Sequence, residues 1–283
     1  MPGLDLPWLP TLTYTLGAVL VATVSWCDDL WSVSNRVRFL VHIGGALLVL
    51  CGVGYGPQLA LPLVGVVDLG WPGMLLTFLW IAGLTNAYNF MDGIDGIAGG
   101  QAVVAAAAWI GLGALHGAPL LSLLGALVAS SSLGFLGHNW PPARIFMGDV
   151  GSAFLGYTFA ALAVLAQTVN PRLALAGVVV VWPFVFDTMF TLLRRLHHRE
   201  NVFAAHRSHL YQRLILAGYS HRFVTLVYIG LAGLGVPLAF AWSLPVIGGE
   251  WLLCAGLGLA CFGLWHGVVR AERRSLSLGG KSA

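Results

Sequence analysis

Residues 86–100 read Asn86-Ala-Tyr-Asn89-Phe-Met-Asp92-Gly-Ile-Asp95-Gly-Ile-Ala-Gly-Gly100, and they follow closely on the apolar run 71–84. Two carboxylates and two carboxamides therefore come at the end of a segment that is suited to lipid. In a helical backbone Asp92 and Asp95 share a face, and such neighbours raise each other's pKa unless a cation or a basic partner is near. Ionisable residues at this position indicate a functional site. The alternative is a solvated turn between two membrane helices, which needs neither the paired acids nor the paired amides.

The composition is that of an integral membrane protein. Of 283 residues, 58% are hydrophobic and only 9% are charged, whereas soluble domains carry about 25% charged residues. The first 35 residues contain no Lys or Arg, so they lack the basic region of a cleaved signal peptide and are interpreted as a retained first span. The four cysteines form no C-x-x-C pair and suggest neither a disulfide framework nor a zinc site.

Nine segments are long and apolar enough to cross a hydrocarbon core of about 30 Å. Their approximate bounds are 8–25, 39–56, 71–90, 100–116, 119–137, 151–168, 173–193, 223–243 and 250–269. The sequence shows no repeat of fixed period and no hydrophilic run long enough for a soluble domain. It therefore predicts one all-α domain, 1–283, built as a polytopic bundle of about nine transmembrane helices.

The basic residues predict how this bundle is oriented. Thirteen of the 14 Lys and Arg residues fall in alternate loops and the C-terminal tail, and only Arg172 falls in the other set. Because basic residues favour cytoplasmic loops, we expect the N-terminus outside and the C-terminus in the cytoplasm. Most of the acids lie on the same predicted cytoplasmic side, including Asp28, Asp29, Asp92 and Asp95.

Three further elements are predicted at this face. Asp28 and Asp29 end the first span, with charge decoration of a helix end as the alternative. Asp149 stands between Gly148 and Gly151 after an exposed Phe146, where it could cap a helix or contribute to an anion or metal site. The third element is the loop His206-Arg207-Ser208-His209, which could bind phosphate or meet anionic lipid head groups.

One more acid, Asp187, lies inside an apolar span, where pairing with a basic group on a neighbouring helix is the expected structural role. The other elements combine carboxylates for Mg²⁺ with cations for phosphates. Magnesium is typically held by one or two carboxylates together with substrate phosphates. The chemistry that fits is phosphoryl transfer, in which the metal neutralises a diphosphate leaving group and a carboxylate orients or deprotonates the nucleophile.

In their order along the chain, these motifs resemble those of the polyprenyl-phosphate N-acetylhexosamine-1-phosphate transferases, a glycosyltransferase family 4-like group. The motifs that carry the resemblance are Asp28-Asp29, the stretch 86–96, Phe146-Met-Gly-Asp-Val-Gly-Ser152 and His206-Arg-Ser-His209. The stretch 140–149 and the His-Arg-Ser-His loop are most similar to the branch that initiates O-antigen synthesis. The resemblance implies transfer of a sugar 1-phosphate from a UDP-linked N-acetyl sugar to undecaprenyl phosphate, with release of UMP.

The resemblance also implies roles for individual residues. Asp28, Asp29, Asp92 and Asp95 form the expected catalytic set, with Asp28 as base or positioner for the lipid phosphate. Asp149 and Asp92 are the expected ligands of Mg²⁺, for which Mn²⁺ is the alternative. The expected substrate-binding residues are Asn86, Asn89, Phe146 near the uracil, and His206, Arg207 and His209 at the diphosphate and sugar.

The implied setting is a bacterial inner membrane with the active site on the cytoplasmic face. Expected partners are undecaprenyl phosphate, the UDP-N-acetyl sugar and the lipid bilayer, with no nucleic acid; a homodimer is compatible with the sequence. Many family members have about two further spans before the Asp-Asp motif, so we expect the family's first two helices to be missing here. The alternatives are a truncated non-catalytic member, a transporter or proton relay, and a CDP-alcohol phosphatidyltransferase, whose motif continues differently after Asp-Gly.

Overall fold

The computed structural model describes residues 7–201, 204 and 206–279, so Asp5 and Lys281 lie outside the described residues. Within these ranges the chain forms eleven helices and one pair of short strands. In chain order they are α1 (Trp8–Trp31), α2 (Asn35–Val53), β1 (Gln58–Leu61), β2 (Gly65–Asp68), α3 (Pro72–Met91), α4 (Ile97–Leu115), α5 (Pro119–Asn139), α6 (Gly148–Gln167), α7 (Arg172–Val180), α8 (Trp182–His197), α9 (Leu210–Leu216), α10 (His221–Ser243) and α11 (Gly249–Gly279). The predicted polytopic helical bundle is confirmed.

Helix α6 lies at the centre of the bundle, because half of its residues are Gly, Ala, Ser or Thr, which are small enough to let neighbouring helices approach. It packs against α1, α3 and α7. A Cβ added to Gly156 would lie 2.7 Å from the carbonyl oxygen of Leu84 and from the Cβ of Tyr88, both on α3. Small residues at such contacts are typical of membrane helices, where close van der Waals packing replaces the hydrophobic effect. Helix α6 therefore fixes the position of the end of α3.

The predicted span 173–193 is not one straight helix. It is divided at Val181 into α7 and α8, which are inclined by 79° to each other. Pro183, in the first turn of α8, has no N–H and cannot continue the hydrogen-bond ladder of α7. The bend leaves the Val180 carbonyl without its helical donor, and the Gln101 side chain of α4 donates to it at 2.9 Å. In lipid a freed backbone group needs such a partner, so the bend is stabilised by the neighbouring helix.

Contacts at the two ends of the bundle show that the bent pair still crosses it. At one end, Arg172 at the start of α7 bonds the carbonyl of Trp242, near the end of α10. At the other end, the α9 residue Tyr211 donates from its hydroxyl to the carbonyl of Phe90, in the last turn of α3, at 3.0 Å. The path from α7 to α9 therefore runs from one end to the other. With the eight helices in the described residues that could each span a membrane, the pair makes nine crossings, as the sequence predicted.

A feature that the sequence did not predict is the β-hairpin of β1 and β2, which are antiparallel with Gln58 opposite Asp68. It lies at the end of the bundle that carries Arg172. The backbone N–H of Leu63, between the strands, donates to the Glu250 carboxylate of α11 at 2.8 Å. Glu250 also lies 3.8 Å from Arg172. The hairpin thus joins α11 to this end of the molecule, opposite the acidic cluster.

Candidate functional site

A cavity of about 320 Å³ opens at the end of the bundle where α3, α5 and α6 meet. Three carboxylates line it, those of Asp92, Asp95 and Asp149. The remaining lining residues are Asn89, Gly93, Ile94, Asn139, Phe146, Met147, Gly148, Ser152 and His221. The structure therefore brings together acids that are up to 57 residues apart in the chain (149 − 92).

Beside the cavity, one arginine joins two of the predicted acids. Helices α1 and α2 form an antiparallel pair, so Arg38 in the first turns of α2 lies next to Asp28 near the end of α1. Arg38 Nη1 lies 2.7 Å from Asp28 Oδ2 and 2.6 Å from Asp149 Oδ2. Charge-assisted hydrogen bonds of this length are the stronger ones in proteins. Asp28, a predicted catalytic residue, and Asp149, a predicted metal ligand, therefore converge on one cation, and their roles stay predictions.

Asp29 has a different position from its neighbour, because its carboxylate caps the first turn of α6. Asp29 Oδ1 accepts the N–H of Asp149 at 2.9 Å, and Oδ2 accepts the N–H of Val150 at 3.1 Å. Gly148 makes this approach possible: its φ is +67°, and an added Cβ would lie 2.6 Å from Asp29 Oδ2. A carboxylate at a helix N-terminus is stabilised by the unpaired N–H groups there. Asp29 thus holds the backbone of Asp149 in place.

Asp92 follows the last residue of α3 and faces the cavity. Burial, and next the negative charge of Asp149, raise the pKa of Asp92 to about 8. Between it and α6, Asn89 Nδ2 donates to Ser152 Oγ at 3.0 Å, which in turn donates to the Gly148 carbonyl at 2.9 Å. A carboxylate that faces another carboxylate in a buried site is stabilised in its charged form by a cation.

Asp95 connects three parts of the cavity wall. Its Oδ2 accepts the N–H of Ala143 in the α5–α6 loop at 3.1 Å. Its Oδ1 lies 3.4 Å from Nδ1 of His221, and its carbonyl accepts the hydroxyl of Thr225 on α10 at 2.7 Å. Asp95 therefore has defined structural partners in addition to its place in the cavity.

The loop between α5 and α6 supplies the rim of the cavity. Asn139 holds it, because its side chain accepts from the N–H of Gly96 at 2.8 Å and donates to the Ile145 carbonyl at 2.8 Å. Phe146 on this loop is 80% exposed although it is a large apolar residue. An exposed aromatic ring at the edge of a polar cavity is suited to stacking on a planar group, which agrees with the uracil contact expected from sequence.

Four predicted substrate-binding residues are not placed on this cavity. Asn86 donates to the Ala82 carbonyl of its own helix at 2.8 Å. His206 Nδ1 lies 2.9 Å from Ser208 Oγ, Arg207 is exposed, and His209 is buried with Nδ1 3.2 Å from Asp187 Oδ1. Their contact with a substrate stays a prediction.

Asp187 contributes to the support of the cavity wall. A basic partner was expected for it from the sequence, and in the structure this partner is His209. Asp187 is fully buried and also accepts the N–H groups of Leu210 and Tyr211 at 2.8 and 3.1 Å, so it caps α9. The Tyr211 hydroxyl then bonds the Phe90 carbonyl and lies tightly against Gly93. Phe90 and Gly93 lie on either side of Asp92 in the sequence. The chain of contacts from Asp187 through Tyr211 therefore holds the loop that carries Asp92.

We expect Tyr211→Phe to lower the thermal unfolding midpoint and Tyr219→Phe to leave it unchanged. The first substitution removes the donor to Phe90 and the acceptor of Gln212 Nε2 at 3.1 Å, and a typical hydrogen bond contributes about 1 kcal/mol. Tyr219 makes a ring contact with Phe223, with ring centroids 5.0 Å apart, which the substitution keeps. Equal midpoints for the two variants, measured in one detergent, would show that the Tyr211 hydroxyl does not support the loop.

Four residues of the site were missed as site residues from the sequence: Arg38, Asn139, Ser152 and His221. Arg38 had a usable signal, because a short connection between two spans folds the start of the second back beside the end of the first. Ser152 stands one helical turn after Gly148 in a recognised motif. His221 had no such signal, since its contact with Asp95 spans 126 residues (221 − 95).

The described residues contain no group of three or more His, Cys, Asp or Glu side chains placed to hold a metal ion. Asp92 and Asp149 are nevertheless suited to Mg²⁺, because they offer hard oxygen ligands on one cavity and leave open positions. Magnesium usually completes its six-fold coordination with waters and substrate phosphates rather than with an all-protein cage. The donor set therefore fits an ion that binds together with a phosphorylated substrate.

The fold and the site define a multi-pass membrane protein with an acid-lined cavity at one end of its helices. The chain belongs to glycosyl transferase family 4, whose model matches residues 11–167. This agrees with the family expected from the motifs.

Three relatives illustrate the range of the family. The chain is 37% identical over 217 residues to a Bacillus subtilis (strain 168) protein named "Probable undecaprenyl-phosphate N-acetylglucosaminyl 1-phosphate transferase", covering 75% of this chain and 60% of the relative. It is 34% identical over 256 residues to a phospho-N-acetylmuramoyl-pentapeptide-transferase of Synechococcus sp. (strain JA-2-3B'a(2-13)), covering 85% and 73%. It is 32% identical over 268 residues to a decaprenyl-phosphate N-acetylglucosaminephosphotransferase of Mycobacterium tuberculosis (strain CDC 1551 / Oshkosh), covering 80% and 66%. The chain thus spans about 60–73% of the length of these relatives.

Proposed function

We propose that this protein transfers an N-acetylhexosamine 1-phosphate from a UDP-linked sugar to undecaprenyl phosphate and releases UMP. The observation that carries the proposal is the convergence of Asp149 and Asp92 on one cavity at the end of the helices, with Asp28 joined to Asp149 through Arg38. A proton relay or transporter would need ionisable groups spread through the thickness of the bilayer, whereas these acids are clustered at one end. The names of the matched relatives support a polyprenyl phosphate acceptor and a sugar 1-phosphate donor group.

The proposed metal ion is Mg²⁺, with Mn²⁺ as the alternative, held by Asp149 and Asp92. When bound, it supplies charge neutralisation for the diphosphate. Asp149 and Asp92 would hold the ion, and Asn89 and Ser152 fix the α3–α6 spacing between these two carboxylates. Burial raises the pKa of Asp92 to about 8, so a cation bound here would favour the deprotonated carboxylate.

The remaining residues receive roles from their positions. Asp28, beside Arg38, orients or deprotonates the lipid phosphate that attacks the β-phosphorus of the donor. A new phosphoanhydride bond forms between the lipid phosphate and the β-phosphorus as the phosphoanhydride bond to UMP breaks. Asp29 positions Asp149 through the α6 backbone. Asp95 fixes the wall of the cavity, and Phe146 stacks on the uracil. A single copy of the chain carries all these residues.

The bilayer position also follows from the sequence and the fold together. The acidic end of the bundle is the end to which the basic loops belong, so we propose that the cavity faces the cytoplasm of a bacterial inner membrane. The pathway is initiation of a cell-envelope polysaccharide. O-antigen is the product suggested by the motifs, and the names of the relatives equally support N-acetylglucosamine-linked polymers and peptidoglycan.

A panel of UDP-sugars tests the proposal and selects the donor. The purified full chain with Mg²⁺ and undecaprenyl phosphate is expected to release UMP fastest with UDP-N-acetylglucosamine, because two of the relatives described above carry that sugar in their names. UDP-MurNAc-pentapeptide and other UDP-N-acetyl sugars form the comparison, and omission of the lipid is the control. If no member of the panel yields lipid-dependent UMP, the proposed reaction is wrong.

A further inference from the structure

His221 is the first residue of α10 and lines the acidic cavity, although no motif of the sequence pointed to it. Its side chain is 44% exposed, and that of Asp95 is 19% exposed. The imidazole is therefore accessible from the cavity.

Asp95 faces only one ring nitrogen of His221, Nδ1, so the other nitrogen, Nε2, remains for a ligand. Nδ1 lies 3.4 Å from Asp95 Oδ1, and in the described part of the chain Nε2 makes no hydrogen bond. Thr225, one turn further along α10, donates to the Asp95 carbonyl at 2.7 Å, which fixes α10 against the loop 92–96. A histidine whose Nδ1–H faces a carboxylate has a defined ring orientation, and with both ring nitrogens protonated its Nε2 is a donor as well.

The charges around the cavity make this donor important. Of the residues that line it, Asp92, Asp95 and Asp149 are acids, and His221 is the basic one within the described chain. Arg38 is bound to Asp28 and Asp149. A diphosphate that enters the cavity meets several negative charges, so a metal ion alone leaves part of its charge without a partner. The N-terminus of α10, where His221 lies, adds a favourable positive potential.

The histidines of the 206–209 loop have other partners. His209 is buried on Asp187, and His206 lies beside Ser208. Neither residue lines the cavity in the described structure.

We infer that His221, oriented by Asp95, is a substrate-binding residue that donates a hydrogen bond from Nε2 to the diphosphate of the nucleotide sugar. This inference rests on the proposed function, since it assumes that the cavity takes a UDP-linked substrate. It assigns to α10 a contact outside the sequence motifs described above.

Two substitutions of His221 test the roles of its two ring nitrogens separately. An asparagine amide lies near the position of Nδ1, so His221→Asn keeps the contact with Asp95 and removes the donor to the cavity. A glutamine amide reaches the position of Nε2, so His221→Gln keeps the donor. His198→Asn is the matched control, because His198 is exposed and does not line the cavity.

The experiment measures binding of UDP and of uridine to the full chain in nanodiscs with Mg²⁺ by calorimetry. We expect His221→Asn to bind UDP about tenfold more weakly, equivalent to about 1.4 kcal/mol, and to bind uridine as the wild type does. We expect His221→Gln to lie near the wild type and His198→Asn to equal it. Hydrogen bonds to charged groups are among the stronger ones, so the difference is measurable.

Other results overturn the inference. Unchanged UDP binding in His221→Asn, or an equal loss for UDP and uridine, shows that His221 does not contact the diphosphate. An increased KM for undecaprenyl phosphate with unchanged UDP binding assigns the contact to the lipid phosphate instead. Failure of the wild type to bind UDP overturns the proposed function itself, whereas wild-type binding that all variants share overturns only the role of His221.

Discussion

We expect Asp149→Asn to lower the rate of UMP release by about 10²-fold or more. The substitution keeps the size of the side chain and removes the charge that faces both Arg38 and the cavity. If Asp149 holds the divalent ion, its loss removes several kcal/mol of transition-state stabilisation, and each 1.36 kcal/mol is tenfold in rate. The variant should also need a higher Mg²⁺ concentration for half-maximal rate.

The measurement is UMP release at a series of Mg²⁺ concentrations, with Asp68→Asn as the control. Asp68 lies on β2, at the opposite end of the bundle, where its carboxylate accepts the Gly70 N–H at 2.9 Å. We expect that control to keep the wild-type rate. A rate for Asp149→Asn within threefold of the wild type, at every metal concentration, would contradict a metal-binding role; the threshold of about threefold corresponds to less than 1 kcal/mol.

We expect Asp28→Asn to produce a loss of similar size, about 10²-fold or more, with a different signature. Asp28 shares Nη1 of Arg38 with Asp149, and this nitrogen lies 2.7 Å from the Asp28 carboxylate. A group that orients or deprotonates the attacking phosphate acts in the transition state, so its loss lowers kcat more than it changes substrate KM. The Mg²⁺ requirement should stay that of the wild type.

Steady-state kinetics with both substrates varied distinguishes the two acids. The thermal unfolding midpoint of Asp28→Asn serves as its control, because loss of one partner of Arg38 could also loosen the α1–α2 pair. A purely structural role for Asp28 predicts a lowered midpoint together with a partial loss of rate that stabilising lipid restores. A Mg²⁺ requirement that shifts as much as in Asp149→Asn would place Asp28 on the metal instead of on the lipid phosphate.

Much of the bundle could be predicted from local sequence. Apolar runs bounded by charged loops predicted the crossings, because each membrane helix satisfies its own backbone hydrogen bonds and depends little on distant residues. The division at Val181 was not predicted, since Trp182-Pro183 shows only that a break is tolerated. Its direction depends on Gln101 of another helix. The β-hairpin was missed because a short loop with few polar residues has no strong strand pattern.

Site residues that belong to sequence motifs could be predicted. Site residues that join the cavity only through contacts between helices could not. Asp28, Asp92 and Asp149 were found because acids are rare in such a chain and lie next to predicted helix ends. Their common neighbour Arg38 and the contact of His221 with Asp95 are products of helix packing. His209, expected to contact substrate, lies 3.2 Å from Asp187 through its Nδ1 and does not line the cavity, so its contact with substrate stays a prediction.

The guanidinium between Asp28 and Asp149 has one more consequence. Arg38 is a tethered counter-charge that already compensates two carboxylates, so this arrangement does not depend on a bound metal ion. Under the proposed function, a divalent ion on its own would compete with Arg38 for Asp149. An ion already bound to a diphosphate would bring its own ligands, so metal loading would be coupled to the arrival of the donor.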